Sequence, residues 1–106
     1  MTDDGKVYLC KADELEDGDI RGFDIAGTPV ALYCDKGEFF ATHDICTHEY
    51  ALLSDGFLED GIVECPLHAG TFDIRTGEAK AAPCVNAVRT YTVSVVDGDV
   101  FLVLPK

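Results

Sequence analysis

The stretch CTHEYALLSDGFLEDGIVECPLH, Cys46 to His68, decides how the rest of the chain folds. It opens on Cys46-Thr47-His48 and closes, after sixteen intervening residues, on Cys65-Pro66-Leu67-His68. Each arm offers one thiolate and one imidazole and is short enough to be a single tight loop. Zinc modules usually pair like with like, a Cys knuckle with a His-bearing helix. Here each arm mixes the two, and neither His lies on a helical stretch. Two sulfur and two nitrogen donors suit a [2Fe–2S] centre with both Cys on one iron and both His on the other. The same four donors satisfy tetrahedral zinc. Between the arms, Phe57-Leu58 and Ile62-Val63 flank Glu59-Asp60-Gly61, a compact hairpin that folds the arms toward each other.

Upstream, Val7 to Cys10 reads as an opening strand, and the acidic run Asp13 to Asp19 as a turn of helix followed by a Gly turn. Ile20 to Ala26 alternates as a half-buried strand, with Ile20, Gly22, Asp24 and Ala26 on one face and Arg21, Phe23 and Ile25 on the other. Gly27-Thr28-Pro29 is expected to turn the chain into a second apolar strand, Val30 to Cys34. Asp35-Lys36-Gly37 then makes a hairpin turn into Glu38 to Ala41. Downstream, Gly70 to Ile74 reads as a strand closed by the Arg75-Thr76-Gly77 turn. Ala79 to Val85 is too rich in small residues and proline to be expected as a strand. Val88 to Val96 alternates, and Asp97-Gly98 turns it into Val100 to Leu104. No stretch holds a helical period. The expected fold is all-β: a small antiparallel sandwich or barrel with the metal-arm hairpin inserted at one end.

A chain of 106 residues has the length of one domain, residues 1–106, with a metal-binding subdomain over about 44–77. Twenty Asp and Glu against eight Lys and Arg give a net charge of −12, which argues against nucleic acid or an anionic membrane as partner. It suits a soluble protein steered toward a basic surface. The start, Met1-Thr2-Asp3-Asp4, has neither the basic nor the apolar region of a signal peptide, and Val100 to Leu104 is too short an apolar run to span a bilayer. Five cysteines is an odd number without paired spacing. With two committed to metal, Cys10, Cys34 and Cys84 are expected as buried free thiols in a reducing cytosol.

The string Cys46-Thr47-His48, sixteen residues, Cys65-Pro66-Leu67-His68, a small residue, Gly70, Phe72-Asp73 and the Thr76-Gly77 turn resembles the Rieske family. The later Ala82-Pro83 extends the likeness. The resemblance implies a Rieske-type fold around one [2Fe–2S] cluster, with Cys46 and Cys65 on the buried iron and His48 and His68 on the outer iron through Nδ1. Neutral imidazoles in place of two thiolates raise the potential into the Rieske range, about −150 to +300 mV. High-potential respiratory members carry an extra disulfide between the arms; the matching positions here are Ala51 and Leu67. Those members also carry a Ser and a Tyr whose hydroxyls donate to sulfur, where this chain has Gly70 and Phe72. Each missing donor is worth about 1.5–3 kcal/mol, or roughly 60–130 mV for one electron. Asp44, Glu49, Asp55, Glu64 and Asp73 push the same way, so the expected potential is low.

Cys46-Thr47-His48-Glu49, Ser54-Asp55-Gly56, Glu64 to His68 and Phe72-Asp73 look most like the small ferredoxins of bacterial aromatic-ring dioxygenase systems. That branch implies single-electron carriage from an NADH-dependent flavoprotein reductase to a terminal Rieske oxygenase. The chain is then not an enzyme but a cytoplasmic electron-transfer component, expected as a monomer. The absence of a Gly-rich nucleotide loop agrees, since hydride cannot be taken from NADH directly. Two alternatives stand: a fixed Rieske small subunit of another reductase, of the nitrite-reductase type, and a zinc-stabilised binding module. His43, three residues before Cys46, is read as a strand-end histidine and not a fifth ligand. Pro83 is expected in a third loop that shields the cluster, with Tyr50 and Phe72 also walling it from water.

Overall fold

A computed structural model describes residues 6–46, 51–66, 70–81 and 86–103. Among these residues ten strands form two antiparallel sheets, as the all-β expectation required. The larger holds β1 (Lys6–Lys11), β2 (Ile20–Ile25), β3 (Thr28–Asp35), β4 (Glu38–His43), β9 (Thr90–Val96) and β10 (Asp99–Val103), in the spatial order β1-β10-β9-β4-β3-β2. The smaller holds β5 (Phe57–Glu59), β6 (Ile62–Glu64), β7 (Thr71–Asp73) and β8 (Ala79–Ala81), paired in sequence order. The only helical turns among the described residues are 3-10 turns at Ala12–Glu14 and Leu53–Asp55. No helix among them is long and apolar enough to cross a membrane.

Strand β3 explains how the two sheets come together. Its apolar run is continuous, the mark of a strand buried on both faces, and side chains along it alternate between two cores. Val30, Leu32 and Cys34 enter a cluster closed by Leu9 and Cys10 of β1, Ala41 of β4 and Val100 and Leu102 of β10. Ala31 and Tyr33 enter the second cluster, with Leu53, Val63, Phe72, Ile74 and Val88. That second cluster also contains Cys46 and Cys65. The smaller sheet thus seals one face of the larger, and the two cysteines lie within the seal.

Four two-residue turns set the hairpins: Ala26-Gly27, Lys36-Gly37, Asp60-Gly61 and Asp97-Gly98, with both residues of each at positive φ near +50° and +80 to +90°. That is the type I′ geometry whose twist matches the flanking strands. The first turn falls earlier than Gly27-Thr28-Pro29. Asp24 Oδ1 accepts the Gly27 amide at 2.8 Å, which closes the turn early and leaves Thr28 and Pro29 inside β3. A second correction concerns Ala79 to Ala81, which do form a strand: pairing with the β7 backbone overrides the weak β preference of alanine. Val85 and the residues before it from 82 onward lie outside the described residues.

Arg75, in the turn after β7, ties the smaller sheet to the larger. Its guanidinium donates to Asp35 Oδ2 at 3.4 Å and Glu38 Oε1 at 3.3 Å and lies 4.6 Å from the centre of the Phe40 ring. Asp35 is buried, so this contact supplies a partner to a carboxylate shielded from water.

Candidate metal centre

The two arms are built alike. After β4 the chain runs through Asp44 and Ile45 to Cys46, whose amide donates to the Ala51 carbonyl at 2.9 Å; Ile45 bridges Leu52 just outside. After β6 the chain reaches Cys65 at once, and its amide donates to the Gly70 carbonyl at 2.7 Å. In both, a cysteine amide closes a loop onto the carbonyl five residues ahead. The loop necks are therefore fixed by backbone hydrogen bonds, and both cysteines are almost fully buried in one apolar cluster. His48 and His68, two and three residues after the cysteines in sequence, lie outside the described residues, as do Glu49, Tyr50 and Leu67. Among the described residues, no three His, Cys, Asp or Glu side chains converge as a ready-made metal site.

Cys46 and Cys65 are buried in one apolar cluster, where as thiolates they would need a cation to neutralise them. A cation-containing centre held by Cys46 and Cys65 meets that demand, so the donor set fits the iron–sulfur group. Phe72, fully buried, belongs to the same cluster and contributes no hydroxyl, while the Gly70 carbonyl is committed to the Cys65 amide.

Around the arms, Asp44 is buried at 3% exposure and is a hydrogen-bonding hub. The Ser54 amide donates to its Oδ1 at 2.7 Å and the Ser54 hydroxyl to its Oδ2 at 2.8 Å. The sequence offers Asp44 as a negative charge and Ser54-Asp55-Gly56 as part of the ferredoxin likeness; the contact between Asp44 and Ser54 joins separate limbs of the arm, and no local pattern announces it. Of the other acidic residues, Asp55 and Glu64 are exposed and Asp73 is half-buried. Asp73 Oδ1 is occupied by the Arg75 amide at 2.8 Å.

His43 ends β4, its amide donating to the Arg89 carbonyl at 2.8 Å and its Nδ1 lying 3.5 Å from the Tyr91 hydroxyl, the strand-end placement expected. Cys10 and Cys34 are buried and form no disulfide. Burial pushes both thiols up from their ordinary range, which keeps them protonated and unreactive. Burial likewise raises the Tyr33 hydroxyl, which is hydrogen-bonded to Thr42 Oγ1 at 2.7 Å. Cys84 and Pro83 lie outside the described residues. On the outer face of the small sheet, the exposed Phe57 stands beside a shallow groove bordered by Glu59, Asp60, Ile62, Glu64 and Thr71.

A small β frame thus closes two matched loops on buried cysteines. Residues 5–92 match the model of the Rieske [2Fe-2S] domain, and the chain belongs to that family. It is 47% identical over 98 residues to the ferredoxin component of the p-cumate 2,3-dioxygenase system of Pseudomonas putida, covering 91% of this chain and 83% of that one. Among solved structures it resembles the Sphingomonas yanoikuyae B1 ferredoxin, with a TM-score of 0.88, 40% identity, and coverage of 94% and 99% of the two chains. It also resembles a chain from the complex of reduced oxygenase and oxidised ferredoxin in carbazole 1,9a-dioxygenase, with a TM-score of 0.91, 34% identity, and coverage of 95% and 94%.

Proposed function

We propose that this chain is a ferredoxin component of an aromatic-ring dioxygenase system, an electron carrier and not itself a catalyst. It takes single electrons from an NADH-dependent flavoprotein reductase and passes them to a terminal Rieske oxygenase. One domain, residues 1–106, holds one [2Fe–2S] cluster on the segment from about 44 to 77, with Cys46 and Cys65 binding the inner iron and His48 and His68 the outer. Its setting is the cytoplasm and its working form a monomer. The observation that carries the reading is the pair of matched arms, each closed by a cysteine amide on the carbonyl five residues ahead, with both thiols in one apolar cluster. The ferredoxin relatives of similar length support the same role.

The bound cluster supplies a one-electron couple that shuttles without making or breaking bonds to carbon. The chain's own residues bind it, exclude water and set its potential. Leu53, Val63 and Phe72 pack around the cysteines and keep water from the inner side. Phe72 and Gly70 bring no hydroxyl donor to the sulfurs, which favours the oxidised state and a low potential.

An EPR spectrum of the dithionite-reduced protein, with a redox titration of the same sample, tests this. A rhombic signal with average g near ~1.9 and a midpoint near the low end of the Rieske range, about −150 mV, is expected. The same signal at clearly positive potential overturns the dioxygenase role and keeps the cluster. Zinc without a signal overturns the redox reading.

A further inference from the structure

The 3-10 turn Leu53–Asp55 touches the first arm, and Gly56, the residue that caps it, touches the second. On the side of the first arm, Ser54 donates twice to the Asp44 carboxylate, and Leu53 donates to the Asp44 carbonyl at 2.6 Å. Asp44 is itself anchored to the large sheet, its amide donating to the Pro29 carbonyl at 3.0 Å. Two residues further on is Cys46. On the side of the second arm, Gly56 donates to the Leu53 carbonyl at 2.9 Å and lies flat against the Glu64 carbonyl, which a Cβ at position 56 would overlap. The next residue after Glu64 is Cys65. Gly22 of β2 completes the seat: a Cβ there would come 2.8 Å from Ser54 Oγ and 2.9 Å from Asp44 Oδ2.

We propose that Asp44, Ser54 and Gly56, seated on Gly22, form a spacer that fixes the separation of the two cluster-bearing arms. Asp44 and Ser54 are positioning residues: they act on the cluster only through the limbs that carry Cys46 and Cys65. The physical case is preorganisation. A ligand set held in place by its supporting bonds loses less freedom on binding and releases the group more slowly. The two Ser54 bonds go to a buried carboxylate, the type of hydrogen bond that is strongest and most costly to lose. This inference rests on the iron–sulfur reading above.

The test uses holoprotein and follows loss of visible cluster absorbance under excess ferrous chelator, with EPR linewidth recorded on the same samples. Ser54→Ala removes one charge-assisted bond and is expected to shorten the cluster lifetime about tenfold and broaden the signal. Gly22→Ala, which pushes a methyl into the same contact from another strand, is expected to do likewise. Asp44→Asn keeps an acceptor for the Ser54 amide and offers Nδ2 to the Ser54 hydroxyl, so it is expected to retain most of the lifetime that Asp44→Ala loses. If Asp44→Ala fails to fold, Ser54→Ala and Gly22→Ala decide. Wild-type lifetime and linewidth in both overturn the spacer, as does cluster loss that merely tracks global unfolding in urea. A wild-type chain with no Rieske signal overturns the carrier reading, and the spacer with it.

Discussion

Phe72 is the residue through which the chain's potential is most directly adjustable, because it is fully buried in the cluster that contains Cys46 and Cys65. A hydroxyl added at its ring edge has two possible fates. If it reaches a cysteine sulfur, it stabilises the reduced centre; if not, it is a buried donor without an acceptor, at a cost of about 1–3 kcal/mol. Phe72→Tyr is expected to raise the midpoint potential by roughly 60–130 mV, measured by redox titration. An unchanged potential with a lowered Tm would mean the ring edge points away from sulfur. The thiols of Cys10 and Cys34 act on a different variable. Burial raises both in the folded state, so above their ordinary value of 9.0 the folded chain holds protons that the unfolded chain releases. Their contribution is complete below that value and is lost as pH rises through the raised values. Stability to urea is therefore expected to fall on the alkaline side, and the Cys10→Ala, Cys34→Ala double variant to show a shallower fall.

At the level of elements, the arms are held by contacts that span strands. Arg75 leaves the small sheet to reach Asp35 and Glu38 of the large one, and its removal strands a buried carboxylate. A fully buried partner would cost about 3–5 kcal/mol. Arg75 is half exposed, so Arg75→Ala is expected to cost about 1–2 kcal/mol in urea unfolding after screening by solvent. Arg75→Lys is expected to recover part of it. Such cross-strand contacts also explain what sequence reading reached and what it missed. Lys36-Gly37, Asp60-Gly61 and Asp97-Gly98 were legible because a residue followed by Gly between apolar runs has few other uses. Ala26-Gly27 was displaced in the reading by Pro29, a turn residue that here lies second in strand β3. The strand Ala79–Ala81 was hidden because its only reason to be extended is its partner β7. The two Cys-and-His arms stood out by their spacing together with the residues around them, and the structure places Cys46 and Cys65 in one buried cluster. The Asp44–Ser54 contact was not legible, since ten residues and a loop separate its members and either residue has many roles elsewhere.

For the molecule as a whole, the excess of acidic residues has to be read against where they lie. Asp55, Glu59, Asp60 and Glu64 are all exposed on or beside the hairpin between the arms, with the exposed Phe57 among them. Among the described residues, Asp60 alone of these has a cation beside it, Lys36 Nζ at 3.5 Å, and both ends of that pair are exposed and weakly bound. A carrier that docks on two partners in turn needs fast, reversible encounter, and long-range attraction to a basic surface provides it without a tight complex. Such attraction is screened over about 8–10 Å at physiological salt. Reduction of the chain by the flavoprotein reductase proposed above, followed by stopped flow, is therefore expected to slow as ionic strength rises. Asp55→Lys is expected to slow it several-fold at low salt and to leave it nearly unchanged at high salt, where the field is already screened. A rate independent of salt would place the docking energy in apolar contact instead, and Phe57→Ser would then be the variant that slows transfer.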